Sequence, residues 1–340
     1  MSPPDDSASL LSNPEWLPAH WRGSNVQFVR LARNQHEGLT FLSDEYIAPL
    51  SPETASAGLA GLRGTPVAPA PQYIFHSAFA ASTLLTRVLD IPGVALGLKE
   101  PEILNELAEA FRSRSLSGDA LEVVVRLLAR PFVTGEKVII KPSNVANLLA
   151  PSLLKLNSDS NAIFLYAPLA RFLRSIADKG LWGRRWVRRL YPVVTRDTGL
   201  DFGLSAGEQF ELTDLQVAAL AWLMQHAQAA KLIEAFPGRV RTLNSEVFLT
   251  RREETIAAVA AHFGLALDQN QSREIAEGPA FATHSKEIGR AFDPEEPLRP
   301  KAVIPILDEE IAMVAQWAEA VGEHAGISPN FLSHSVLVDS

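Results

Sequence analysis

A chain of 340 residues with a formal charge of −8 and no cysteine excludes several classes at once. The acidic balance argues against general affinity for nucleic acid or an anionic membrane surface. The missing thiols remove disulfides, thiol nucleophiles and cysteine zinc sites. Hydrophobic residues at 47% and charged ones at 21% suit a globular protein whose core fills one large α/β domain or two smaller ones.

The start, Met1-Ser-Pro-Pro-Asp-Asp-Ser7, has no basic stretch followed by an apolar run, so no secretory signal is predicted. No uninterrupted apolar segment approaches the roughly 20 residues needed to cross a bilayer. The expectation is a cytoplasmic protein without a membrane partner. Residues 1–24, rich in Pro, Ser and Trp, read as an extended arm. Val26 to Leu31 and Leu39 to Leu42 alternate enough to predict a small hairpin. Residues 55–71, heavy in Ala, Gly and Pro, predict a linker. That divides the chain into an N-terminal extension over 1–71 and a main domain over 72–340.

From Tyr73 the pattern alternates. Apolar strands are predicted at 73–76, 94–98, 137–141, 162–166 and 240–243. Helices are predicted at about 82–89, 102–112, 119–129, 145–156, 168–179, 209–235, 251–263 and 307–324. Continuously apolar strands separated by helices imply a three-layer α/β/α fold with a mainly parallel sheet. Ligands of such sheets bind beyond the carboxyl ends of the strands. That rim would hold His76, Lys99, Glu100, Lys141 and Tyr166.

The first β-α unit carries the clearest chemistry. A strand ends at His76, a small-residue turn runs to Ala81, and Ser82 and Thr83 begin a helix. Unpaired N–H groups at such a turn favour an anion; the bland alternative is a plain helix cap. The segment lacks the glycines and lysine of a G-x-x-x-x-G-K-[ST] loop. Glu100, at a strand end, suits a general base, with His76 and Glu102 as substitutes; its plain structural role would be an ion pair with Lys99 or a helix cap. Lys141 suits charge stabilisation of a transferred group, shared with Lys99, against the alternative of a solvated strand-end lysine. Arg171 and Ser175, four apart on a helix, share a face. The segment Leu181 to Leu190, with four arginines and two tryptophans, reads as a lid or polyanion site, or as a solvated basic helix. The eight histidines show no metal-ligand spacing, so no metal is predicted.

Five segments then follow in order: Phe79-Ala-Ala-Ser-Thr-Leu-Leu85; Leu98-Lys-Glu-Pro101; Lys141-Pro-Ser-Asn144; Leu165-Tyr-Ala-Pro-Leu-Ala-Arg-Phe-Leu-Arg-Ser175; and Thr242-Leu-Asn-Ser-Glu-Val-Phe-Leu249 with His262-Phe-Gly-Leu265. In this order they resemble the sulfotransferase family across roughly residues 73–290. The resemblance implies a P-loop-like α/β fold and transfer of a sulfonate from 3′-phosphoadenosine 5′-phosphosulfate to a hydroxyl or amine. The acceptor would be a small molecule, peptide or glycan, with no metal. It implies that Ala81, Ser82 and Thr83 hold the donor's 5′ end, that Arg171, Arg174 and Ser175 hold its 3′-phosphate, and that Ser285 and Lys286, with Arg290, belong to a late loop closing over it. It implies Glu100 as base, backed by His76, and Lys141 at the transferring group. The chain departs from the family pattern where Phe79 replaces a basic residue, Ala81 a glycine, and Tyr166-Ala167 an arginine-containing pair; Pro168 to Ser175 is also one residue longer than usual. Two alternatives therefore stand beside sulfonate transfer: a non-catalytic binding protein of the same fold, and a magnesium-dependent, kinase-like phosphotransferase.

Overall fold

The structure, a computed structural model, describes residues 6–281, 305–327 and 335–339. In chain order the elements used below are α1 (Asp6–Ser12), β1 (Trp16–Arg22), β2 (Asn25–Arg30), α2 (Arg33–Gly38), β3 (Thr54–Gly58), β4 (Gln72–His76), α3 (Ser82–Val88), β5 (Ala95–Lys99), α4 (Glu102–Arg112), α5 (Ala120–Leu128), β6 (Lys137–Lys141), α6 (Ala150–Leu156), β7 (Ala162–Tyr166), α7 (Leu169–Asp178), α8 (Gly180–Thr198), α9 (Asp214–Ala235), β8 (Val240–Asn244), α10 (Ser245–Thr250), α11 (Arg252–Phe263) and α12 (Pro305–His324).

The large sheet has five strands in the order β5-β6-β4-β7-β8. β4 and β5 are buried along their whole length, as strands covered on both faces must be. β5 and β6 run parallel with Gly97 opposite Ile139 and Lys99 opposite Lys141, and β4 runs parallel to β6. The chain leaves β4 toward one edge of the sheet and later returns to its other side. Loops after such a strand are the usual ligand sites of open α/β sheets. Gly97 is required where it stands: a Cβ there would lie 2.9 Å from Thr86 O and 3.2 Å from Asp90 Cβ, so β5 can approach α3 only through glycine.

Packing divides the chain into two compact units. The first holds Met1–Phe75, Ser82–Ala162 and Ile256–Ala291. Its N-terminal region differs from the predicted hairpin. β2 pairs antiparallel with β1, Trp16 opposite Arg30, and with β3, Asn25 opposite Gly58. The partners thus come from the predicted arm and the predicted linker. Pro18 and the bulge beside it hide the period-two signal of β1, whose residues are buried almost continuously against neighbouring helices. Thr54–Gly58 is built of small residues with weak strand preference; pairing supplies what propensity does not. Leu39 to Leu42 forms no strand. Leu42 instead bonds to the end of β5, its N–H donating to Lys99 O at 2.7 Å and its carbonyl accepting from Glu102 N–H at 3.0 Å.

Charged anchors hold this region to the helices. Glu106 of α4 lies 3.0 Å from His20 and 2.6 Å from Arg22 of β1. The buried Arg130 guanidinium donates to Leu127 O at 2.8 Å, Leu10 O at 2.6 Å and Trp16 O. Burial pulls its pKa down to about 10.

The second unit holds His76–Ala81, Ile163–Thr255 and Phe292–Ser340. α8, α9, α7 and α12 pack on one another. The predicted helix 209–235 is two, because Thr213 accepts from Gln216 N–H and caps a fresh start at α9. The predicted basic segment 181–190 lies inside α8, which ends where Gly199 turns left-handed at φ 62°. Trp222 donates its indole N–H to Ala167 O at 2.9 Å and stacks on His226, ring centroids 3.5 Å apart. No helix among the described residues is long and apolar enough to cross a membrane.

Replacing Arg130 by Met keeps the apolar stem and strips donors from three buried carbonyls. With each orphaned group costing about 1–3 kcal/mol, the net loss should be about 3 kcal/mol. It should appear in denaturant unfolding as a lower midpoint at unchanged slope; an unaltered midpoint would show that Arg130 does not anchor the N-terminal region.

Candidate functional site

The parallel register of β5 and β6 sets Lys99 beside Lys141, and Glu100 follows directly. Glu100 N–H donates to Lys141 O at 2.7 Å, which folds the residue back over the end of β6. Its φ of 53° is left-handed, a conformation that costs a non-glycine residue on the order of 1–3 kcal/mol and clusters at functional sites. The result is an ion pair between the Glu100 carboxylate, 24% exposed, and the wholly buried Lys141 ammonium. Burial pushes Lys141 below its ordinary 10.5, while Glu100 works in the opposite direction.

Lys99 takes other partners. Its ammonium donates to His36 O at 2.9 Å and Glu37 O at 3.2 Å, and lies 3.8 Å from Asp90. The carboxylate of Glu100 is therefore matched with Lys141 rather than with its chain neighbour. Arg33 completes the buried cluster, 2.7 Å from Asp90 and 3.5 Å from Glu136. Two residues that sequence reasoning missed complete the surroundings of the pair. The Phe41 ring centroid lies 5.4 Å from Lys141 Nζ, and Tyr46 meets that ring edge-on at 5.5 Å. Burial, then Glu45 and Glu100, raise the Tyr46 phenol pKa. Nothing in the sequence pattern of 39–47 marks these residues; only the Leu42 hydrogen bonds to β5 bring them here. Glu102, the first residue of α4, has its carboxyl pKa raised chiefly by burial.

After β4 the chain passes through a tight loop. Ala78, Phe79 and Ala81 all adopt positive φ, at 67°, 49° and 59°. Left-handed residues alternating with ordinary ones, as at 79–81, turn successive N–H groups toward one side and form an anion-holding concavity. His76 is buried and serves this loop, its Nδ1 accepting from Ala78 N–H at 3.0 Å. Ser77 N–H donates to Leu165 O at 3.2 Å. Ser82 and Thr83 are buried at the start of α3; Ser82 O accepts from the Thr86 hydroxyl at 2.9 Å.

The second unit places the remaining candidates. Arg171 is half-buried, and burial lowers its pKa against the opposing charges of Glu246 and Asp178. Ser175 donates its hydroxyl to Arg171 O at 3.0 Å. Arg174 is ion-paired with Asp308 of α12. In α8, Arg184 and Arg188 both face Asp214, at 3.6 and 2.8 Å. Ser285, Lys286 and Arg290 lie outside the described residues. Among the described residues no group of three His, Cys, Asp or Glu is placed to hold a metal ion.

No protein-family model matches the sequence, and no curated protein does. Among solved structures, the chain is similar to the sulfotransferase domain from the curacin biosynthetic pathway at 12% identity and a TM-score of 0.42, over 76% of this chain and 98% of that one. It is similar to the sulfotransferase domain of the Synechococcus PCC 7002 olefin synthase at 13% identity and a TM-score of 0.39, over 75% and 95%. Both are likenesses of fold.

Because Lys141 sits below its unfolded value, the unfolded chain binds more protons in the window beneath 10.5, and the stability contributed by this lysine rises with pH through that window. Glu100→Gln removes the opposing charge and deepens the depression. The variant should lose about 3 kcal/mol at pH 7, and its deficit against the wild type should narrow as pH is raised toward about 10. Urea melts at several pH values check this; a pH-independent deficit would rule out the ion pair as its cause.

Proposed function

We propose that this chain is a sulfotransferase, moving a sulfonate from 3′-phosphoadenosine 5′-phosphosulfate to a hydroxyl or amine of an acceptor. The observation that carries the reading is the Glu100–Lys141 pair: a fully buried cation against a partly exposed carboxylate, held in left-handed backbone at the carboxyl ends of adjacent parallel strands. A buried, perturbed cation paired at a strained backbone position marks a candidate catalytic site.

In this reading the acceptor oxygen or nitrogen forms a bond to sulfur while the bond between sulfur and the 5′-phosphate oxygen breaks. The acceptor proton passes to Glu100, and the leaving electron pair stays on the phosphate of adenosine 3′,5′-bisphosphate. The two residues are coupled in a useful way. Before transfer the Lys141 ammonium and the Glu100 carboxylate compensate one another's charge. As Glu100 takes the proton its charge is cancelled, and the ammonium turns to the charge developing on the leaving oxygen. The backbone of residues 79–82 holds the 5′-phosphate, in a loop whose residues 77–83 carry no charge of their own. Arg171 is the cation for the 3′-phosphate. His76 keeps the loop in shape through Ala78, which makes it a positioning residue in this scheme.

The Arg174–Asp308 ion pair and the uncharged loop favour a second reading, a nucleotide-binding protein of the same fold without turnover. Isothermal titration with adenosine 3′,5′-bisphosphate tests both. Saturable binding is expected, and its absence at millimolar ligand would sink the two together. Turnover with a panel of phenols, alcohols and amines then separates them. Glu100→Gln should lower kcat by about 10²–10⁴-fold and leave bisphosphate affinity in place. Lys141→Met should lower it by about 10²–10³-fold.

A further inference from the structure

The loop after β4 poses an electrostatic problem. Between His76 and Arg87 the chain has no charged residue, yet a phosphate held at residues 79–82 is a concentrated anion, and neutral N–H groups alone bind it less strongly than a charge-assisted contact does. The second unit carries an arrangement that answers this. Phe79 does not project freely: its ring packs at 6.0 Å from Phe172 of α7 and edge-on at 5.0 Å from Trp186 of α8. This packing holds the left-handed backbone of the loop against α7 and α8. Over the same ring, at 5.4 Å from its centroid, stands the ammonium of Lys179, which also lies 5.6 Å from the ring of Trp182. Trp182 in turn stacks on Trp186, centroids 6.4 Å apart and planes 14° from parallel. Two aromatic rings therefore steer an otherwise flexible lysine, at the junction of α7 and α8, to the loop. Cation–π contacts fix such a charge without neutralising it, so it keeps its attraction for an anion.

We infer that Lys179, set on Phe79 and Trp182, is the cation that binds the 5′-phosphate of the nucleotide at the loop. The inference rests on the proposed reading that the loop binds this nucleotide. Trp182, 59% exposed, is explained by it: the ring is the outer support of the lysine rather than part of the core. Arg184 and Arg188 of α8 stand differently, since both are matched by Asp214.

The test titrates the full chain with two ligands, adenosine 3′,5′-bisphosphate and adenosine 3′-phosphate, the second lacking only the 5′-phosphate. Lys179→Met should weaken the bisphosphate by about tenfold or more, leave adenosine 3′-phosphate unchanged, and flatten the salt dependence of bisphosphate binding. Lys179→Arg should retain most of the affinity, because charge rather than shape is required. Equal bisphosphate affinity in the wild type and Lys179→Met would overturn the assignment of Lys179 while leaving the sulfotransferase reading intact. Equal loss of both ligands would also overturn it, since the residue would then act on something other than the 5′-phosphate. A wild-type chain that binds neither nucleotide would instead overturn the sulfotransferase reading, and this inference with it.

Discussion

A lysine ammonium with no solvent contact must have a compensating charge within reach, because taking it out of water otherwise costs several kcal/mol. Lys141 meets that requirement with Glu100, and much of the first unit's construction follows from the need to hold Glu100 there. The residue is bent into left-handed backbone. The hydrogen bond from its N–H to Lys141 O ties the bend to β6. Leu42 then brackets the bend, bonding to Lys99 on one side and Glu102 on the other. The strain at Glu100 is thus offset by local hydrogen bonds that any rearrangement would break.

The same bracket explains why the N-terminal region packs beside the Glu100–Lys141 pair. Lys99 is buried so that its ammonium can hold the carbonyls at the end of α2; Asp90 answers its charge, while Arg33 is matched by Asp90 and Glu136. The neighbouring Leu42 hydrogen bonds set Phe41 beneath Lys141 and Tyr46 beside Phe41. An aromatic face there supports an ammonium without offering a competing acceptor, leaving Glu100 as its ionic partner. Residues that read as an appendage are in this way the wall of the pair.

In the second unit aromatic packing takes over from hydrogen bonding. Three left-handed non-glycine residues within four positions of one loop need a compensating gain, and Phe79 supplies it by packing against Phe172 and Trp186. Removing aromatic area from water in this way offsets part of that strain. A bulky residue at position 79 is then a fastening for the loop, and the charge it lacks stands on its face as Lys179.

The parallel β/α core was legible in the sequence by itself. The strands at 137–141 and 162–166 and the helix at 102–112 agree with β6, β7 and α4, because a strand buried on both faces must be continuously apolar and a packed helix must repeat every three to four residues. Glu100 and Lys141 were legible as candidates for the same reason, since strand ends in such a sheet converge on one rim. Their pairing with each other was decided only by tertiary structure, as were Leu42, Phe41 and Lys179. Register, not composition, put Lys141 opposite Lys99. The three-stranded N-terminal sheet escaped the sequence because β1 is interrupted by Pro18 and β3 is made of small residues, neither with the period a lone strand would need. Local propensity is encoded in neighbours along the chain, whereas β2 exists between β1 and β3, and Lys179 over Phe79, only because segments up to 100 positions apart are brought together by burial, which no local pattern records.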